Sequence, residues 1–313
     1  MTTTDPTSPG GSTRRALLTT SDGSHHGAFT PLDWALFASI GAIWGSSFLF
    51  IAIGLEAFEP GLITWLRVLF GAGVLWLMPA SRVAIDRADR PRIVALSFLW
   101  VAIPFTLFPL AEQHISSGLT GLLNGAVPIT VAAVGTLMRR RLPVPRQLVG
   151  LAVGFAGVAL IALPAAGEGS SEAIGVIMVL AAVACYGVAT NIAGPITQRY
   201  GALPVMAQMV GLGAIWTAPF GLWSVPSSSF AWNSFVAVAA LGMLGTGLAF
   251  AIMGRLVSRV GPNRAAFAIY LVPVVAMILG AVFLDERIVI WSVIGAAMVI
   301  CGAVLASRSG ATR

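Results

Sequence analysis

Residues Gly118–Met138 read GLTGLLNGAVPITVAAVGTLM, and 145 positions further on Asn263–Phe283 read NRAAFAIYLVPVVAMILGAVF. The shift lays Pro128 on Pro273 and Gly135 on Gly280. Carried past these stretches it lays Gly150 on Gly295, Gly157 on Gly302 and Leu160 on Leu305. Nearer the front the match is looser: Trp44-Gly45 pairs with Tyr186-Gly187 at a shift of 142, and Pro60 with Pro204 at 144. A repeat period this long marks a duplicated structural unit, weak at its front and clear at its back.

Both quoted stretches are apolar over the ~20 residues that cross a hydrocarbon layer of about 30 Å. Eight more segments qualify, which gives Trp34–Leu55, Pro60–Ala80, Ile93–Ala111, Gly118–Met138 and Gln147–Ala166 in the first copy. The second copy holds Ala173–Thr197, Leu203–Val225, Ser234–Met253, Ala265–Leu284 and Ile288–Ala306. Period-2 alternation is absent, so a β-barrel is not a serious competitor. Five segments per copy is an odd number, so the second copy enters the membrane from the opposite side to the first. The expected fold is an all-α integral membrane protein of ten transmembrane helices, built as two inverted five-helix repeats. Such repeats let a central site open alternately to either side. The expected units are residues 1–31 as a disordered tail, 32–166 and 167–307 as the repeats, and 308–313 as a short end.

Composition agrees. Of 313 residues 57% are hydrophobic and only 10% charged, against roughly 25% charged in a soluble domain. The net charge of +6 is carried by 18 arginines and no lysine. They lie between apolar segments, which is a topology signal and not a nucleic-acid surface. With the amino terminus inside, 16 of the 18 arginines fall on the cytoplasmic side, Arg287 alone falls outside, and Arg67 is embedded in the second segment. Both termini are therefore expected in the cytoplasm of a cell whose inner or plasma membrane the chain crosses. The Ser/Thr/Gly-rich tail has too little apolar surface to fold and lacks the layout of a signal peptide. Cys185 and Cys301 sit in apolar stretches and read as buried small hydrophobes.

The first segment contains Gly41-Ala-Ile-Trp44-Gly45-Ser46-Ser47-Phe48, followed by Pro60 and Arg67. The last two carry Pro273, Gly280, Asp285-Glu286-Arg287, Gly295 and Gly302. Together these resemble the EamA-type transporters of the drug/metabolite transporter superfamily, over essentially the whole chain from the first segment to the last. The resemblance implies a ten-helix inverted-repeat fold with a central cavity in a bacterial-type inner membrane. It further implies export of amino acids, metabolites or toxic compounds. In one place the chain departs from the pattern: the glutamate the family carries after the fourth segment is Arg141 here, while the second copy keeps Glu286.

Arg67 is the sharpest candidate for substrate contact. It lies seven residues into its segment, roughly 10 Å below the outer boundary, where an arginine costs about 2.5 kcal/mol or more without a cavity or partner. Either it meets an anionic group of the substrate, or it reaches outward to Glu56, Glu59 or Glu112. Glu112 ends the third segment beside Gln113 and His114. It is either a proton-loading group at a cavity entrance or a loop charge facing water. Ser46 and Ser47 occupy the place where the superfamily's small multidrug exporters keep a glutamate, and no carboxylate lies deep in any segment. Trp44, Ser47, Asn124, Tyr186, Asn191, Gln208 and Tyr270 have polar atoms at membrane depth that need partners, so they face the bundle interior as substrate contacts or interhelical glue. Prolines 104, 109, 128, 195, 219 and 273 either break the helical ladder or only kink it.

No phosphate loop, nucleophile triad or metal-ligand cluster is present, and His25, His26 and His114 are too dispersed for a metal. No cofactor is expected. The expected partners are the lipid bilayer and a small-molecule substrate, with no nucleic acid, the chain acting as a monomer or homodimer. A membrane enzyme would need paired polar groups at matching depth; a sensor would carry a signalling domain; a sugar-phosphate carrier would need more cavity cations than Arg67. Import of a similar molecule is the alternative to export. A reporter active only in the cytoplasm, fused at Arg313, is expected to be active, and one fused in the Glu168–Glu172 loop silent. Activity of a periplasm-only reporter at Arg313 refutes this topology.

Overall fold

A computed structural model describes residues 28–139 and 144–307. Most of the proposed tail, Arg140, Arg141 and the end 308–313 lie outside the described residues. Nine described helices are long and apolar enough to cross a membrane. They are α1 Pro31–Leu55, α2 Pro60–Leu77, α3 Arg87–Glu112, α4 Ser117–Met138 and α5 Pro145–Glu168, then α6 Ser170–Tyr200, α7 Ala202–Ser224, α8 Trp232–Val260 and α9 Ala266–Phe283. The tenth, α10 Ile290–Ser307, carries a slightly shorter apolar stretch. The chain is an all-α membrane protein of about ten helices, as expected. Successive helices run in opposite directions, so the start of α1 and the end of α10 share one face, called here the terminal face.

Thr30 accepts from the Asp33 backbone N–H, and Asp33 Oδ2 accepts from the Thr30 backbone N–H at 2.9 Å, a capping box that starts α1 at Pro31. Cys301 differs from expectation, since it is exposed on α10, while Cys185 is half-buried.

The contacts repeat as the sequence does. α5 packs along α10 and α2 along α7, each pairing a helix with its own counterpart. α1 meets α8 and α9, and correspondingly α6 meets α3 and α4. In the α5–α10 seam a Cβ on Gly150 would lie 2.7 Å from the Gly302 carbonyl oxygen, and one on Gly157 would lie 2.7 Å from that of Gly295. The shift of 145 turns one of these contacts into the other, so the seam lies across a pseudo-twofold axis. With no hydrophobic drive between helices in lipid, such close backbone approach supplies the packing. Gly45 against Val275 and Gly187 against Thr130 form a second related pair.

Departures from α-helix are also paired. π-helical turns occupy Ser97–Ala102 in α3 and Leu241–Leu248 in α8. α4 is interrupted between Asn124 and Val127, and α9 is 3₁₀ over Ala266–Tyr270, 145 positions on. Pro104, Pro128 and Pro273 stand at these changes of helix type, whereas Pro109, Pro195 and Pro219 sit inside continuous α-helix.

Two polar clusters close the terminal face. Asp33, fully buried, takes the Arg259 Nε at 2.5 Å and so ties α1 to α8. Arg199 spans Asp86 at 2.6 Å and Asp89 at 2.9 Å, and the Tyr200 hydroxyl donates to both, tying the α2–α3 connection to α6. Because the α5–α10 approach is backbone against backbone, Gly302→Leu is expected to cut the yield of folded protein, at a cost of about 1–3 kcal/mol. Gly73→Ala, whose added Cβ meets nothing within 4 Å, is expected to leave yield unchanged or raise it. Thermal melting in detergent checks both, and equal behaviour of the two variants refutes the seam.

Candidate functional site

A cavity of about 130 Å³ lies where these irregular turns converge, room for several waters or a small polar group. Its wall comes from α1 (Trp44, Ser47, Phe48), α2 (Arg67), α3 (Trp100, Phe105, Phe108) and α4 (Asn124, Val127). α6 (Tyr186, Thr190), α8 (Gly245, Phe250) and α9 (Ile269, Val272) complete it. The repeat offsets generate much of this list: Trp44 maps to Tyr186, Phe105 to Phe250, Asn124 to Ile269 and Val127 to Val272. The cavity therefore sits on the pseudo-twofold axis.

Arg67 breaks that symmetry, because the position 144 residues on is Gly211. Its side chain is 5% exposed. Nε donates to Thr246 Oγ1 at 3.3 Å, and the guanidinium lies 3.7 Å over the Phe105 ring. Nη1 is buried with no hydrogen-bond partner, and among the described residues Arg67 makes no ion pair with Glu56, Glu59 or Glu112. The ring supplies cation–π attraction, which holds the fork in place without satisfying its donors.

The π turn of α8 supplies the other supports. The Gly245 carbonyl accepts from Trp44 Nε1 at 3.0 Å, next to the Thr246 hydroxyl that receives Arg67. A π turn frees main-chain acceptors and widens the helix, and such turns cluster at functional sites. Asn124 Oδ1 is buried with no partner, at the end of the helical stretch that α4 breaks. Two of the residues that line the cavity beside its aromatic side chains thus carry buried unpaired groups, a donor on the Arg67 cation and an acceptor on the Asn124 amide. Phe48 packs on Phe108 and Phe108 on Tyr186, with centroids 5.6 and 6.0 Å apart.

Of the nine residues singled out in the sequence, Arg67, Trp44, Ser47, Asn124 and Tyr186 meet in this wall. Asn191 does not line it; its amide donates to the Val131 carbonyl at 3.0 Å and the Gly187 carbonyl at 2.9 Å, joining α6 to α4. Gln208 sits near the terminal face and reaches the Val83 carbonyl at 3.4 Å. Tyr270 packs against Phe267 and the core outside the wall. Glu112 is also outside it, but its surroundings differ from a loop charge in water: both carboxylate oxygens are buried and unpartnered. Trp100, Phe105, Thr190 and Phe250 were missed. Phe105 and Phe250 stand 145 apart, so the repeat itself was the signal.

Toward the far face a second hollow, of about 460 Å³, is lined by His114, Glu172, Glu286 and Arg287 among apolar side chains of α4, α5, α9 and α10. Here Glu286 accepts from the Ser117 and Gly118 backbone N–H groups and the Ser117 hydroxyl, each at 2.8 Å. A carboxylate on the first N–H groups of a helix satisfies donors the helix cannot, so Glu286 clasps α4 of one repeat to α9 of the other. His114 Nδ1 lies 2.8 Å from Ser171 Oγ across the same face. No group of three metal-ligating residues occurs among the described residues. Glu286→Ala is expected to destabilise the protein by about 1–3 kcal/mol for the N–H groups it strands, read as a lower melting temperature; an unchanged melt refutes the clasp.

The family model for EamA-like transporters matches residues 32–163 and again 173–308. An uncharacterized transporter of Archaeoglobus fulgidus is 22% identical over 88% of this chain and 98% of its own length. A protein of Streptantibioticus cattleyicolor named a probable terminal-alkyne amino-acid exporter is 26% identical over 88% and 93%. The uncharacterized inner membrane transporter YedA of Escherichia coli is 28% identical over 80% and 82%. A solved structure described as the crystal structure of a protein superposes with a TM-score of 0.58 at 18% identity, covering 88% of this chain and 96% of that one, a likeness of fold.

Proposed function

This chain belongs to the EamA-like transporter family, and on that premise we propose that it exports small amphipathic or zwitterionic metabolites, amino-acid-like molecules or drugs, by alternating access. The observation that carries the reading is the pair of buried unsatisfied groups on two cavity-lining residues, Arg67 Nη1 and Asn124 Oδ1. A buried donor on a cation calls for an anionic acceptor, and a buried carbonyl calls for an N–H donor. One molecule with a carboxylate, an amine and an apolar body answers both demands and fills the aromatic ring around them. The name of the Streptantibioticus relative, an amino-acid exporter, supports this class and the outward direction. The arginine bias supports cytoplasmic termini, and the pseudo-twofold supports the exchange of conformations that alternating access needs.

In this reading Arg67 anchors the carboxylate with its planar fork, Trp44 and Tyr186 wall the site, and Phe105 keeps the guanidinium aimed. Glu112 belongs to the same region without touching the cavity, and Asn191, Gln208 and Tyr270 act on the surrounding helices. Purified protein in liposomes is expected to support substrate counterflow without ATP. Arg67→Ala and Arg67→Lys are both expected to lose roughly 10- to 100-fold in flux per folded molecule, the worth of one charged hydrogen bond. Lysine keeps the charge but loses the two-pronged contact. A strict ATP requirement, or near-normal flux in Arg67→Ala, refutes the proposal.

A further inference from the structure

Glu112 stands between the two hollows. Phe108, one turn earlier on α3, lines the central cavity, while His114 and Ile115, just beyond, line the far-face hollow. Its two oxygens are shut from solvent and have no hydrogen-bond partner. An ionised carboxylate in that condition is costly unless a nearby cation or a proton compensates it. The elements packed against α3 carry the ionisable residues Arg67 on α2, Glu56 and Glu59 in the α1–α2 connection, and Tyr186, Cys185 and Glu172 on α6. Glu286 stands at the start of α4, and His114 follows on its own segment. The charges that act on it are Glu286 and Arg67. Arg67 and Glu112 thus feel each other's charge without forming a pair, and each is left with buried unpartnered atoms.

We propose that Glu112 is a proton-binding site coupled to the cavity, and that the substrate's anionic group and the ionised Glu112 carboxylate compete for Arg67. Low-dielectric surroundings favour one negative charge beside the lone cation, not two and not none. When a substrate carboxylate docks on Arg67, Glu112 loses the positive charge that supported its ionised form. One proton then moves from water in the far-face hollow to a Glu112 oxygen, forming an O–H bond. When the substrate leaves, that bond breaks and the proton returns to water. Proton and substrate therefore bind together, and by linkage acid tightens substrate binding by the factor with which substrate tightens proton binding. The inference rests on Arg67 being the substrate's anchor.

Infrared spectra of the protein in nanodiscs test this through the stretch of the protonated carboxyl group. The wild type should show a carboxyl band that disappears on raising the pH and is missing in Glu112→Gln. In Arg67→Gln the same band should persist to more alkaline pH, by about one unit or more. Adding phenylalanine as the probe should bring the band back in wild type at a pH where it had been lost, and do nothing in Arg67→Gln. If Glu112→Gln does not fold, Glu112→Asp, which moves the band without abolishing it, identifies it equally. A band that is the same in the Glu112 variants, or that ignores Arg67→Gln, overturns the proposal. So does phenylalanine that quenches tryptophan fluorescence, and hence binds, without restoring the band. Phenylalanine that fails to bind refutes the substrate class of the preceding section, and the Arg67→Gln spectra then decide the proton site alone.

Discussion

In hydrocarbon a backbone N–H or C=O has no water to turn to, and every other feature of this molecule answers to that constraint. It forces the spans to be helical and it confines departures from α-helix to protected places. The π turns of α3 and α8, the break in α4 and the 3₁₀ turn of α9 all contribute to one wall, the cavity's. There the freed acceptors are used, as when the Gly245 carbonyl takes the Trp44 indole. The irregular backbone and the site are one feature seen from two sides.

Duplication places that site, and departures from duplication give it polarity. The aromatic and aliphatic part of the wall is nearly symmetric, with Phe105 facing Phe250 in role and Val127 facing Val272. The polar part is not: Arg67 has Gly211 as its counterpart and Asn124 has Ile269. A symmetric apolar lining favours no direction of entry or orientation of a ligand. In the proposed function the single cation and single acceptor decide which end of a molecule goes where.

Much of this was legible in the residues. The spans, their number and the inverted repeat follow from apolar length and the shift of 145, because both are properties of single stretches. Arg67 was legible because an arginine inside an apolar run is expensive. Distinguishing Asn124 from Asn191 was not. Both are amides at membrane depth, and only the fold puts Val131 and Gly187 carbonyls beside one of them and an empty acceptor position beside the other. Glu112 at the edge of a span reads equally well as a wet loop charge, since nothing local records that α4, α6 and the Glu286 segment close over it. The aromatic lining was invisible for the opposite reason: phenylalanines are common in every span, and only the repeat singles out Phe105 and Phe250.

The Glu286 clasp joins the two repeats at the far face, and the sequence withholds its mirror image from the terminal face. Carried 145 positions on, Ser117 becomes Pro262, which has no N–H to offer, and the position matching Glu286 in the first copy is Arg141. Two conformations related by the pseudo-twofold would be equally populated in a perfectly symmetric carrier. Here any motion that parts α4 from the Glu286 segment gives up three hydrogen bonds, a set that a proline at 262 and an arginine at 141 cannot reproduce. A difference of about 1–3 kcal/mol from that source skews the two populations by roughly 5- to 150-fold. Under the proposed alternating access an empty molecule would favour the conformation that keeps the Glu286 clasp, a bias that Pro262 and Arg141 write into the sequence.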